Sequence, residues 1–156
     1  MTPEQMLAYT AKMLQTMKDI KHKAVFVGLP AEKVGEKIYG DGRSVIATGA
    51  THEYGYGPIP QRSFLRAPFD IKRKEMDEGI ARQFHAAVNG QISVDTGLGR
   101  VGVLATNVSK GAFTSRGYGT WPDITDETKQ RKGSDQVLID TGILRGSITW
   151  VIRDAS

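Results

Sequence analysis

Apolar residues near the start of the chain recur at helical spacing. Met6, Thr10, Met13, Met17 and Ile20, with Leu7 and Leu14 beside them, form one stripe. Thr2-Pro3-Glu4-Gln5 reads as the start of that helix, with Thr2 as cap, Pro3 at the first position and Gln5 completing a capping box. A stripe rich in methionine has two readings: a helix packed on its own sheet, or an adaptable binding face. Residues 24–29 then read as a short buried strand ended by Gly28 and Pro30. Residues 36–39 and 43–48 flank Gly40-Asp41-Gly42, which predicts a hairpin. Residues 52–60 form a loop rich in glycine and proline. A second helix is predicted over 68–89, with Phe69, Met76, Ile80, Phe84, Ala87 and Val88 on one face and Asn89-Gly90 as its left-handed end.

The next segment is ambiguous. Leu98, Val101, Leu104, Ala105 and Val108 fit a helix over 95–111, capped by Asp95 or Thr96. Residues 101–104 also fit a strand, and Gly97, Gly99 and Gly102 each weaken a helix by up to about 1 kcal/mol relative to alanine. Residues 114–137 have no long periodic pattern. They carry Tyr118, Trp121 and a short polar helix with Lys129, Arg131 and Lys132 near its C-terminal end, where positive charge suits the dipole. Connections of this length are usually functional or disordered. The segment therefore reads as an assembly arm with Tyr118 and Trp121 as anchors; Trp121 folded back on its own core is the alternative. At the end of the chain, residues 147–153 alternate strictly, with Ile148, Trp150 and Ile152 on one side, which predicts a strand. These elements predict an α+β fold in one domain over residues 1–156: a small antiparallel sheet, two or three long helices mainly on one face, and a long extended loop.

Composition narrows the function. There is no cysteine, which excludes thiol catalysis, disulfides and cysteine-ligated metals. The N-terminus lacks the pattern of a signal peptide, and no run approaches the ~20 apolar residues of a membrane span. The net charge of +4 is spread along the chain, so contact with acidic surfaces or nucleic acid is permitted but not demanded. His52-Glu53 lacks the second histidine one turn on that a helical metal pair needs. Gly97-x-Gly99-x-x-Gly102 matches a dinucleotide fingerprint, but repeated βαβ units are missing, as is the acidic residue further on. Asp-Thr-Gly occurs at Asp95 and at Asp140, as two such triplets do in aspartic proteases. The helical patterns before and between them oppose a protease, and the triplet is equally suited to opening a helical turn. No acid–base constellation, cofactor site or metal site is predicted, and the chain does not read as an enzyme.

Two motifs carry a resemblance. The first is His52-Glu53-Tyr54-Gly55 followed by Ile59-Pro60-Gln61-Arg62-Ser63-Phe64-Leu65-Arg66. The second is Trp121-Pro122, Thr128, Lys132-Gly133, Leu138-Ile139-Asp140-Thr141-Gly142, Leu144-Arg145 and Ser147-Ile148. In this order they resemble the virion-morphogenesis and tail-completion proteins of tailed bacteriophages. The first 45 or so residues match that family only in element order, and the glycine-rich stretch 96–102 departs from it. The resemblance implies a structural protein of the tail or neck, tail-completing or head–tail joining, made in the host cytoplasm and residing in the virion. Its implied partners are further copies in a ring, other tail, neck or connector proteins, and DNA passing transiently through the ring; none is a membrane. It places Phe64 and Leu65 in the core and Arg62 and Arg66 at the surface or an interface. The expected interaction residues are Arg62, Arg66, Tyr118, Trp121, Lys129, Arg131, Lys132 and Arg145. The alternative function is nucleic-acid contact through the basic clusters, and a protease ranks below it.

Overall fold

A computed structural model of the chain describes residues 1–123 and 142–155. Helix α1, Pro3–Lys21, begins at the expected capping box: Gln5 N donates to Thr2 Oγ1 at 3.2 Å, and Thr2 N donates to Gln5 Oε1 at 2.8 Å. It leads into strand β1, Lys23–Gly28. Strand β2, Thr149–Asp154, closes the fold by pairing antiparallel with β1, from Lys23↔Asp154 to Gly28↔Thr149. The sheet therefore joins the two ends of the chain. Between the strands lie short α2 (Ala31–Val34), α3 (Val45–Tyr54), α4 (Arg66–Ile71), α5 (Arg73–Val88), α6 (Val94–Thr114) and α7 (Ile143–Ser147). The fold is α+β, with a two-stranded antiparallel sheet among the described residues.

The segment that sequence left ambiguous is the central element. α6 is one helix of 21 residues that packs against α4, α5 and both strands. Its glycines explain how. Trp150 of β2 lies over the helix at Gly99 and Gly102, and a Cβ at Gly102 would run into the indole. Gly102 thus forfeits some helix propensity so that the strand can approach the helix backbone. The cap is Ser93, whose Oγ accepts from Thr96 N at 3.0 Å, rather than Asp95 or Thr96. Asp95 instead pairs with Lys23 of β1 at 2.5 Å, in the first turn where a carboxylate suits the dipole.

Three other expectations change. The hairpin over 36–48 reduces to a single bridge, Ile38↔Ser44. Ser44 then caps α3, and Val45, Gly49 and Glu53, four residues apart, bury one face of that helix. The outer strand expected over 43–48 is thus replaced by the start of a helix. The long helix over 68–89 is broken at Lys72 into α4 and α5. Before β2, residues 143–147 are helical, so the strand starts two residues late, although Trp150 and Ile152 share a face as expected. The Asp-Thr-Gly triplet does precede a helical turn, with Gly142 at φ +65° as its cap; Asp140 lies outside the described residues.

We predict that Gly102→Ala destabilises the fold by about 1–3 kcal/mol, because overpacking against Trp150 outweighs the gain in helix propensity. Gly146, exposed and with no neighbour within 4 Å of an added Cβ, is the control. Gly146→Ala should change stability by less than about 1 kcal/mol in urea or thermal unfolding.

Candidate functional site

The residues of the two motifs meet in one cluster. At its centre is the carboxylate of Glu53, on the buried face of α3 and only 3% exposed. Burying a charge is costly unless hydrogen bonds replace its water. Here five donors do so. Oε1 accepts from Ser63 Oγ at 2.8 Å, Arg66 N at 3.1 Å and Arg66 Nε at 3.0 Å. Oε2 accepts from Phe64 N at 2.8 Å and Leu65 N at 2.9 Å. Ser63 Oγ in turn accepts from Ala67 N at 2.9 Å. The carboxylate and the hydroxyl together satisfy backbone donors at the start of α4. Burial pushes the Glu53 carboxyl up, but the hydrogen bonds from Leu65, Arg66 and Ser63 outweigh it and hold the group below the ordinary carboxylate range.

Glycine makes this approach possible. Gly55 ends α3 at φ +76°, and an added Cβ would meet Gln61 N at 3.0 Å. The loop can therefore turn back at once, with Arg62 N donating to His52 O at 2.7 Å and Gln61 Nε2 to Glu53 O at 3.0 Å. His52-Glu53-Tyr54-Gly55 and the stretch from Ile59 to Arg66 are thus two halves of one device. Phe64 is the device's output: it is fully buried, its ring 5.3 Å from that of Phe113, its carbonyl accepting from buried Ser109 at 2.7 Å.

The second motif docks on the first. Trp121 is 8% exposed, stacks edge-on against Phe113 with ring centroids 5.5 Å apart, and donates from Nε1 to Ser63 O at 2.9 Å. Leu144 and Ile148 complete the same core. Trp121 is therefore not an exposed anchor; it closes its own domain. The turn that returns it is left-handed over four successive residues, Arg116 (φ 53°), Gly117 (φ 68°), Tyr118 (φ 55°) and Gly119 (φ 85°). Such a backbone is unfavourable at Arg116 and Tyr118. It is held by Gly117 N donating to Ala112 O at 2.7 Å, Trp121 N to Arg116 O at 3.0 Å, Tyr118 Oη to Val108 O at 2.8 Å, and an ion pair between Arg116 and Asp123.

The expected interaction residues separate into four groups. Arg62 and Trp121 are buried, and Arg62 is a correction as well: it is 6% exposed, and its guanidinium donates to Pro122 O at 3.4 Å and Asp123 O at 3.3 Å. Burial pushes its pKa down, and its two backbone acceptors are aligned at the root of the segment 124–141. Tyr118 is half-buried, under Lys72 at 5.1 Å. Arg66 and Arg145 are exposed; Arg66 reaches from Glu53 over the ring of Tyr54, 4.5 Å away. Lys129, Arg131 and Lys132 lie outside the described residues, as does the short helix expected there. The expected arm over 114–137 is thus corrected at its base: residues 115–121 pack on the domain rather than extending from it.

Around this cluster the surface is apolar and aromatic. Tyr54, Tyr56, Ile38 and Ile59 are all exposed, with Arg66 among them. Among the described residues no three histidine, aspartate or glutamate side chains converge on a point, and no helix is long and apolar enough to cross a membrane. Asp95, the described member of the two triplets, faces Lys23 and solvent. Sequence reading missed the role of Glu53, although a lone acid in the otherwise uncharged helix VIATGATHEY was the signal available. No family model, curated protein or solved structure matches the chain.

Two outcomes test this cluster. Glu53→Gln should cost about 3 kcal/mol, since an amide offers two donors where donors already point. A carboxyl with a depressed folded pKa adds stability that is present above its unfolded value of about 4.3 and is lost as pH falls through the folded value. Wild type should therefore lose stability on acidification below about pH 4 more steeply than Glu53→Gln, measured by urea unfolding from pH 7 to pH 2.5. Trp121→Ala should cost about 3–5 kcal/mol, the usual result of emptying a core tryptophan site.

Proposed function

We propose that this chain is a structural assembly protein of a tailed-phage virion, a tail-completion or head–tail joining component that acts as a ring of copies. The observation that supports this reading best is the convergence of the two motifs. The residues that resemble the phage proteins are separated by up to 96 positions, from His52 to Ile148. Yet Glu53, Ser63, Phe64, Trp121, Leu144 and Ile148 form one bonded and packed unit. The two motifs thus supply one side each of a single packed centre, as parts of one structural device would.

The mechanism is surface complementarity. A stiff cluster presents an exposed rim of Tyr54, Tyr56, Ile38 and Ile59 beside Arg66. Exposed tyrosine with arginine is the composition of interface anchors. A repeated contact between this rim and a different patch on the next copy closes into a ring. Arg62 and the left-handed turn hold Pro122 and Asp123 at a fixed place on the domain.

Nucleic-acid contact is less well supported. The cations Lys72, at the start of α5, and Arg73 pair with Glu75 and Asp77, at 3.5 and 3.9 Å, which dilutes any phosphate-binding field.

Native mass spectrometry and negative-stain microscopy of the purified chain test the ring. The expected result is closed rings of one copy number. Tyr56→Ala and Arg145→Glu, both at exposed positions, should leave unfolding free energy within about 0.5 kcal/mol of wild type while reducing the ring fraction. Absence of any ring, together with absence of the chain from purified particles, would refute the proposal.

A further inference from the structure

The first helix is only half used. No residue of α1 is buried, and residues 1–12 are exposed throughout. The helix meets its own domain along one edge: Tyr9 Oη donates to Asn89 Oδ1 at 3.0 Å, and Met13, Thr16 and Ile20 are half-buried. At 100° per residue, a second apolar edge lies about a quarter-turn away. There Leu7, Leu14 and Met17 are 73%, 55% and 47% exposed. A helix running about 28 Å with half its apolar stripe in water is short of a partner.

We propose that this edge binds a second copy of α1, antiparallel, across a two-fold axis. The sequence of the helix identifies the occupant. Leu7, Thr10, Leu14 and Met17 are spaced three, four and three apart, the spacing of a two-helix seam. Antiparallel pairing sets Leu7 against Met17 of the other copy and Thr10 against Leu14, so the seam is complementary to itself. Its outer flank repeats at seven: Glu4, Ala11, Lys18. In the same register Glu4 lies opposite Lys18 of the other copy and Ala11 opposite its counterpart. In a parallel pair the two copies of this flank would lie on opposite sides of the seam, and Glu4 could not meet Lys18. Antiparallel helices also align opposite dipole ends.

Burial along α1 begins only at Met13, so in the antiparallel pair the exposed N-terminal part of one copy runs beside the partly buried part of the other. The contact is isologous and does not rest on the ring proposal, whose contacts are head-to-tail. A ring built from such copies would be joined to a second ring through α1.

Sedimentation equilibrium of the full chain, with wild type and Leu14→Glu compared, tests the seam. Wild type should show a concentration-dependent doubling of its smallest species. Leu14→Glu should abolish the doubling without lowering the melting temperature, because Leu14 is exposed in the single copy. Lys18→Glu should weaken the doubling about tenfold at low salt, and Glu4→Lys with Lys18→Glu should restore it. The chain has no cysteine, so Ala11→Cys places a unique thiol next to its own copy. A short bismaleimide should couple it into dimers, whereas Lys74→Cys on α5 should not couple. A doubling that survives Leu14→Glu, or no doubling at any concentration, overturns the proposal. A ring that persists in Leu14→Glu at half the copy number supports it and leaves the ring reading intact.

Discussion

The fold depends on the burial of one charge. Glu53 sits inside the domain because segment 63–66 supplies the donors that water would otherwise supply. Neither side is stable alone. Without the carboxylate, the N–H groups of Phe64, Leu65 and Arg66 would lack acceptors at the start of α4; without the segment, the charge would be stranded. That reciprocity fixes where Phe64 enters the core. Phe64 then sets the position of Phe113 and Trp121. A buried ionic centre of this kind is a poor source of net stability but a strong source of a single geometry.

The second constraint is close approach. A two-stranded sheet is marginal by itself. It persists here because α6 lies directly beneath it, with glycine where the Trp150 indole rests. The outer edge of β2 is guarded at the same place: Lys33 Nζ donates to Trp150 O at 2.6 Å and stands over the ring at 5.0 Å. A lysine on an open strand edge discourages further strands from adding. Strand addition at this edge is thereby disfavoured.

Much of the architecture was legible in the sequence. The start of α1, the last strand and the α+β class followed from capping residues and periodicity. The misreadings have physical reasons. Residues 43–48 read as a strand because Gly40-Asp41-Gly42 looks like a hairpin turn, but a serine cap and a buried face spaced by four make a helix of Val45–Tyr54. The glycines of α6 looked like helix breakers because propensity counts only the helix, whereas their role is fixed by a tryptophan about 50 residues away in sequence. Trp121 looked like an anchor because it stands in an aperiodic stretch. Its return to the core depends on four left-handed residues, two of which are not glycine, and no periodic pattern announces such a turn. Of the site, the motif residues were visible as a set, but their bonding was not. The resemblance alone assigns Arg62 to the surface or an interface, and no pattern in the sequence announces its burial against the carbonyls of Pro122 and Asp123.

Two regions of the molecule differ in how firmly they are held. Arg62 donates to the carbonyls of Pro122 and Asp123, and Arg116 pairs with Asp123, so the chain is fixed at that point. α1 is helical but barely anchored, and its apolar edge stays open. Two unlike surfaces on one subunit allow two unlike contacts, one that turns around an axis and one that joins across it. Subunits with a single adhesive face cannot separate those two functions, because strengthening one contact would strengthen every competing one.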